Sequence, residues 1–259
     1  MIEDIYSTRI VVKVGKNKLK KFAELAGFGN VVQAPSTDLR GADHALKGNW
    51  GRLFFNNEQP LVLELGCGKG EYTVSLAGRF PDRNFIGVDI KGARMWKGAG
   101  EALKNQVGNV GFLRTNIEMI GHFFHDGEVE QIWLTFPDPQ MKNVRRRLTG
   151  TAFMERYRRI LKPGGIIHLK TDSTFQFRYT LEMVKANRLT ILACTDDLYT
   201  SDLLDDVLSI QTFYEKQWRE RGIPIKYLAF QIDSSEPLRE PVVDIEKDPY
   251  RSFGRSARE

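Results

Sequence analysis

Gly66-Cys67-Gly68-Lys69-Gly70 follows the short apolar run Leu61–Leu65, whose single charged member is Glu64. Glycines at alternate positions let the backbone turn tightly and approach a ligand where a Cβ would intrude. A dinucleotide-binding loop is spaced G-x-G-x-x-G and holds a pyrophosphate on the N-terminus of the next helix. Here the spacing is G-x-G-x-G and Glu71 opens the helix, which disfavours an anionic ligand. Glu64, just before Gly66 and Gly68, adds a second acid suited to a cationic ligand or its ammonium. Asp89 comes 19 residues after Gly70, at the end of a second apolar run, where a carboxylate accepts both hydroxyls of a ribose. Asn116, past a third such run, can hydrogen-bond an adenine amine or simply make a turn.

A second constellation lies at Thr135-Phe136-Pro137-Asp138-Pro139. Two prolines restrict the backbone around Asp138 and hold its carboxylate in place, the pre-organisation that group transfer needs. Lys142 and Arg145-Arg146-Arg147 follow at once. Three arginines beside an active site form a phosphate clamp; the alternative is a solvated charged face. His122 and His125 in HFFH lack an acid cluster and read as surface or packing residues, so no metal is expected. His168 reads as a packing or hydrogen-bonding residue and Cys67 as a small loop residue. Tyr72, Trp133, Phe136 and Trp218 can stack on bases, although core packing is the commoner role for such aromatics.

These groups need a scaffold, and its pattern is regular. Strands are expected at Leu61–Leu65, Phe85–Asp89, Val110–Arg114, Gln131–Phe136 and Ile166–Lys170, with a closing pair at Leu189–Thr195 and Lys226–Ile232. Helices are expected to about Arg79 after the glycine loop, then at Lys91–Gln106, Thr151–Leu161, Phe175–Asn187 and around Asp202–Arg221. This alternation predicts an α/β fold with a seven-stranded, mostly parallel sheet covered on both faces, and such sheets bind ligands beyond the carboxyl ends of their strands. The expected organisation is a basic N-terminal arm (1–55), a central domain (56–232) and a loosely held polar tail (233–259). Residues 1–55 hold nine Lys/Arg against five Asp/Glu, including Lys13, Lys16, Lys18, Lys20 and Lys21. The whole chain of 259 residues carries +5, which permits nucleic-acid binding, and 41% hydrophobic with 27% charged residues excludes wholesale disorder. No apolar run approaches the roughly 20 residues that cross a bilayer. Two cysteines and no secretory signal make a cytoplasmic location the expectation.

The glycine loop with its two acids resembles the cofactor loop of Rossmann-like S-adenosylmethionine-dependent methyltransferases, whose cofactor has a ribose, an amino acid and a sulfonium but no phosphate. The segment FPDPQMKNVRRRLTGTAFMERYRRILKPGGIIHLKTD resembles the signature of the bacterial tRNA (guanine-N7-)-methyltransferases. The likeness extends to ELGCGKG, FIGVDIK and Thr212-Phe213-Tyr214-Glu215, and spans Leu61 to Tyr227, about two-thirds of the chain. It implies methyl transfer from S-adenosylmethionine to N7 of the variable-loop guanosine at conventional tRNA position 46. It also implies that Glu64, Asp89, Asn116 and Asp138 contact the cofactor, with Asp138 the catalytic acid. Lys142, Asp172 and Thr212–Glu215 would then contact the RNA. Gln140-Met141 replaces the family's usual Trp-Pro, the basic loop lacks its histidines, and Asn116 stands where Asp is common. The competing classes are a methyltransferase of another nucleobase or small molecule, and a non-catalytic RNA-binding partner. A monomer and a homodimer are both compatible with the sequence.

Overall fold

The structure, a computed structural model, describes residues 16–34 and 41–251. Lys13 and residues 252–259 of the expected tail lie outside the described residues. Eight strands form one sheet: β1 (Val31–Gln33), β2 (Leu61–Leu65), β3 (Asn84–Asp89), β4 (Val110–Arg114), β5 (Val129–Thr135), β6 (Leu161–Thr171), β7 (Ile191–Thr195) and β8 (Lys226–Gln231). Their order is β1-β4-β3-β2-β5-β6-β8-β7, with β8 antiparallel to both of its neighbours and the other pairs parallel. The order reverses between β2 and β5, so the loops leaving these adjacent strands flank the crevice where such sheets take ligands.

The period of two along each strand decides which side chain meets which layer. Leu61, Leu63 and Leu65 of β2 join Leu134 of β5 and Leu169 of β6 on one face. That face is covered by α4 (Thr151–Ile160) and α5 (Thr174–Ala186) through Phe153, Tyr157, Phe177 and Met183. Val62, Phe112, Trp133 and Tyr227 point the other way, under α1 (Lys16–Leu25), α2 (Glu71–Arg79) and α3 (Gly92–Lys104). Glu64 shares the parity of Val62 and so lies beneath α2 rather than in solvent. Gly87, its partner on β3, keeps this layer thin: a Cβ there would fall 2.9 Å from Thr73 Oγ1 and 3.0 Å from Cys67 Sγ.

The expected strands and helices are present, most with small shifts of their ends; β6 starts five residues early, at Leu161, and four further features differ. The sheet has an eighth strand, β1, on its edge; three residues are too few to show a period. The supposed arm is partly core: it forms the unexpected helix α1, whose Leu25 is fully buried, and Trp50 is fully buried, stacks on Phe124 at 5.4 Å and donates Nε1–H to Phe123 O at 2.8 Å. The helix expected around Asp202–Arg221 is only α6, Phe213–Glu220, because Thr212 and Glu215 make a reciprocal capping box that fixes its start. The polar tail is held mainly by side-chain bonds, with Leu238 packed on the core: Glu240 accepts from Thr151 Oγ1 at 2.5 Å and Tyr179 Oη at 2.5 Å, and Asp248 is 3% exposed. Among the described residues no helix is long and apolar enough to cross a membrane.

Trp50→Ala should destabilise the protein by about 3–5 kcal/mol in urea unfolding, because it removes a large ring and its hydrogen bond from the core. Lys20→Ala on the exposed face of α1 should change stability by less than about 0.5 kcal/mol; equal effects of the two would remove Trp50 from the core.

Candidate cofactor and substrate site

A cleft of about 410 Å³ lies at the carboxyl ends of β2, β3 and β5. A second cavity of about 590 Å³ adjoins it and shares Gly66, Asp89 and Leu148 as a common wall. Glu64, Thr135 and Asp138 line the first; Asn116, Ile117 and Met119 line the second. An elongated ligand laid across the shared wall therefore meets carboxyls at one end, Asp89 in the middle and an amide among apolar side chains at the other.

The wall itself is backbone. Gly66, Gly68 and Gly70 have φ of 81°, 56° and 71°, the left-handed region that glycine enters without strain. A Cβ on Gly70 would lie 2.5 Å from the Phe112 ring, so this glycine also brings the loop down onto the sheet. Asp89 holds the loop's shape, accepting from Gly68 N at 2.9 Å through Oδ2 and from Lys91 N at 2.7 Å through Oδ1. Each oxygen keeps a further lone pair for a ribose hydroxyl. Glu64 is 2% exposed and accepts from Thr73 N at 2.9 Å and from the hydroxyls of Thr73 and Thr135. Glu71, which opens α2, accepts from Lys97 Nζ at 3.0 Å and Phe213 N at 2.8 Å, so its charge ties α2 to its neighbours. The residues fit a phosphate-free nucleoside bearing a cationic amino acid: acids in the first cavity, a ribose acceptor between, and room for a base beside Asn116.

Asp138 is exposed at the mouth of the first cavity, its Oδ1 accepting from Gln140 N at 3.1 Å. The loop around it is bent by two non-glycine residues of positive φ, Phe136 at 51° and Gln140 at 46°. Such conformations cost roughly 1–3 kcal/mol each and persist only where the surroundings impose them. Phe136 N donates to Lys170 O at 2.8 Å, and Arg147 donates to Pro139 O at 2.9 Å and Gln140 O at 3.1 Å.

The structure divides the expected substrate residues. Lys142, Arg145 and Arg146 are exposed beside the cleft, and Arg146 lines its second cavity. Arg147 is not part of an exposed clamp: it is 4% exposed, lies 3.9 Å from the Tyr179 ring centroid and braces the Asp138 loop. Thr212 and Tyr214 line the cleft, while Phe213 is 46% exposed with Lys69 Nζ at 3.5 Å from its ring centroid. Glu215 is buried on Lys170, with 2.7 Å between charged atoms, and so faces inward rather than toward a bound nucleic acid. Asp172 is fully buried at the end of β6, its carbonyl accepting from Lys226 Nζ at 3.0 Å.

The aromatics divide too: Tyr72 and Trp133 are core, whereas Phe136 and Trp218 line the cleft. His168 stacks on Trp133 at 3.9 Å, and burial depresses its pKa to about 3. No group of three or more His, Cys, Asp and Glu side chains among the described residues is arranged to hold a metal ion. Sequence reasoning missed Thr73, Thr135, Lys170 and Tyr250. Only the first two carried a signal, as the hydroxyls whose strand and helix positions bring them to Glu64.

A family model described as "putative methyltransferase" matches residues 58–228. A tRNA (guanine-N(7)-)-methyltransferase of Bacteroides thetaiotaomicron is 58% identical over 245 residues, covering 95% of this chain and 97% of that protein. Another, from Porphyromonas gingivalis, is 52% identical across 89% of this chain and 96% of its own. Among solved structures, the 16S rRNA methyltransferase KamB aligns with a TM-score of 0.51 and 15% identity, covering 66% of this chain and 87% of that one. At that identity the likeness speaks for the fold alone.

Burial raises the Glu64 carboxyl from 4.5 to about 7, against the bonds from Thr135 and Thr73 that pull it down. Between those two values the folded chain keeps a proton that the unfolded chain has lost. Stability must therefore fall as pH rises from about 4.5 to about 7 and level off above, by roughly 3 kcal/mol for this group alone. Urea unfolding of wild type and Glu64→Gln at pH 5 and pH 8 measures it. The wild type should lose more stability than the variant across that interval; parallel losses would place the Glu64 titration elsewhere.

Proposed function

Because the chain belongs to the tRNA (guanine-N7-)-methyltransferase family, we propose that it transfers the methyl group of S-adenosylmethionine to N7 of the variable-loop guanosine of tRNA. The observation that carries this reading is the row of Glu64, Asp89 and Asn116 along one continuous cleft, with Asp138 at its mouth. Glu64 supports the amino-acid end of the cofactor, Asp89 takes the ribose and Asn116 the adenine, with Gly66 and Gly68 giving backbone approach. When bound, S-adenosylmethionine supplies an electrophilic methyl on a sulfonium.

Guanine N7 carries an in-plane lone pair and no proton at neutral pH, so nothing has to deprotonate it. Catalysis then consists of alignment, exclusion of water and a field that favours a cationic ring. Asp138 accepts from the N1–H/N2–H edge of the guanine or opposes the positive charge that grows on it. Its carboxylate is suited to this because the prolines, the Gln140 amide and Arg147 restrict its loop before substrate arrives. Thr212 and Tyr214 wall the base from the α6 side. The target base is normally engaged in the tRNA fold, and extruding it costs a few kcal/mol. Contacts of Lys142, Arg145 and Arg146 with phosphates offset that cost.

Two experiments test the assignment. In single-turnover assays with saturating tRNA, Asp138→Asn should slow formation of 7-methylguanosine by roughly 10²–10³-fold, the range for losing one electrostatic contact to developing charge. An unchanged rate would remove Asp138 from the chemistry. For binding, replacing Arg145 and Arg146 together with Ala should lower the slope of log K against log salt by roughly 0.7–0.9 per lost phosphate contact. An unaltered slope and affinity would reject the contact.

A further inference from the structure

Residues 244–251 fall outside the segment 58–228 that defines the family match, yet they return to the site. Asp248 anchors them. Its Oδ1 accepts from Phe175 N at 3.0 Å, and its Oδ2 accepts from the Ser173 hydroxyl. Ser173 is the N-cap of α5, its Oγ accepting from Gln176 N at 2.9 Å. A carboxylate at a helix N-terminus satisfies an otherwise orphaned amide and meets the positive end of the helix dipole. At 3% exposure it is also shielded from water, so the chain beyond it starts from a fixed point.

From there a short turn, Pro249–Arg251, carries Tyr250 to Asp172 and Trp218. The Tyr250 hydroxyl lies 2.9 Å from Asp172 O and 3.1 Å from Asp172 Oδ2, so its one hydrogen is shared between a carbonyl and a carboxylate. The Tyr250 ring meets Trp218 edge-on, with centroids 5.4 Å apart and planes at 61°. Trp218 lines the cleft, and Asp172 directly follows β6, the strand beside the one that carries Asp138's loop. One side chain thus touches Asp172, which the family resemblance assigns to the RNA, and Trp218 of α6, the helix that Thr212 opens.

We propose that this C-terminal strap braces the guanosine-binding wall from behind, with Tyr250 a positioning residue that fixes Trp218, which lines the cleft, and the buried Asp172 carboxylate. This rests on the function proposed above. It places the base-side geometry under the control of a segment beyond residues 58–228, the part the family model matches. It also predicts a split: losing Tyr250 weakens the RNA side and leaves cofactor binding by the loop between β2 and α2 as it is.

The test uses the full chain and three variants. Tyr250→Phe keeps the ring on Trp218 and loses both contacts to Asp172; Tyr250→Leu loses the ring contact as well. Asn187→Ala loosens the chain that leads to the strap, where Asn187 Nδ2 donates to Arg239 O at 2.8 Å and its Oδ1 accepts from Arg239 N at 2.7 Å. Kinetics with unmodified tRNA transcript, calorimetric titration with S-adenosylmethionine and thermal unfolding are compared. The expected result is a kcat/KM for tRNA roughly tenfold lower in Tyr250→Phe and lower still in Tyr250→Leu, as for losing a bond to a charged group. Cofactor affinity should stay unchanged in both. Asn187→Ala should lower Tm while keeping wild-type kcat/KM. Wild-type kcat/KM in both Tyr250 variants, a gain in either, or a loss in Asn187→Ala that matches theirs would overturn the strap alone. A wild type that binds cofactor but leaves tRNA unmethylated would overturn the proposed function and the strap with it.

Discussion

Lys170 and Glu215 form an ion pair with neither side chain exposed, and both walls of the cleft depend on it. The three protons of the ammonium are fully assigned, to Glu215 at 2.7 Å, Leu208 O at 2.6 Å and Ile210 O at 2.9 Å. Those two carbonyls fix the run leading into α6. Glu215 in turn receives Tyr199 Oη at 2.8 Å and closes the capping box with Thr212, which sets where the helix starts. The backbone carbonyl of the same lysine receives Phe136 N, so Lys170 also anchors the loop of Asp138. Burial lowers the lysine's pKa and raises the glutamate's, and each partner opposes the shift in the other. A buried pair of this kind is weak as a source of net stability, since apolar replacements of both partners are often as stable. What it supplies here is position: one residue of β6 sets the register of α6 with its side chain and the bend after β5 with its backbone.

The parts of the fold that rest on period were legible in the sequence. Strands β2 and β4 match their expected limits because continuous apolar runs bounded by glycine, asparagine or polar residues leave little choice of ends. The place of Glu64 and Asp89 in the cleft was legible for a related reason, since a glycine loop after a first strand and an acid ending the second are local features of sequence. What period could not reveal were contacts made by polar groups far apart in the chain. Arg147 reads as one of three equal charges, and only the folded chain shows it turned inward against Tyr179 and the Pro139 carbonyl. Glu215 reads as a carboxylate available to ligand, and only its buried partner on β6 says otherwise.

The two ends of the chain make the same point. The tail lacks the amphipathic rhythm of an element, and at the other end the lysine-rich face of α1 reads as a charged arm, so both read as extensions. Residues 42–57 nevertheless contribute Trp50, with Phe54 packed against it at 5.3 Å. The tail contributes Glu240 and Asp248, whose carboxylates serve hydroxyls and helix amides of the central sheet layer. Anchoring by polar side chains leaves no hydrophobic pattern to read, because each bond needs one residue rather than a stripe of them.

The seating of Trp50 on Phe123 and Phe124, 73 and 74 residues later, bears on how the chain is made. Strand β1 has the same requirement, because Val31 pairs with Phe112 in the sheet. At roughly 5–20 residues per second of synthesis, these N-terminal apolar groups emerge from the ribosome several seconds before their partners exist. Local helix and hairpin formation is complete within microseconds, so for that interval the early segment holds only what it can build alone. The nascent chain therefore carries an exposed indole until the fourth strand and the segment after it have been translated. That interval is when the newborn chain most needs dilution or a chaperone.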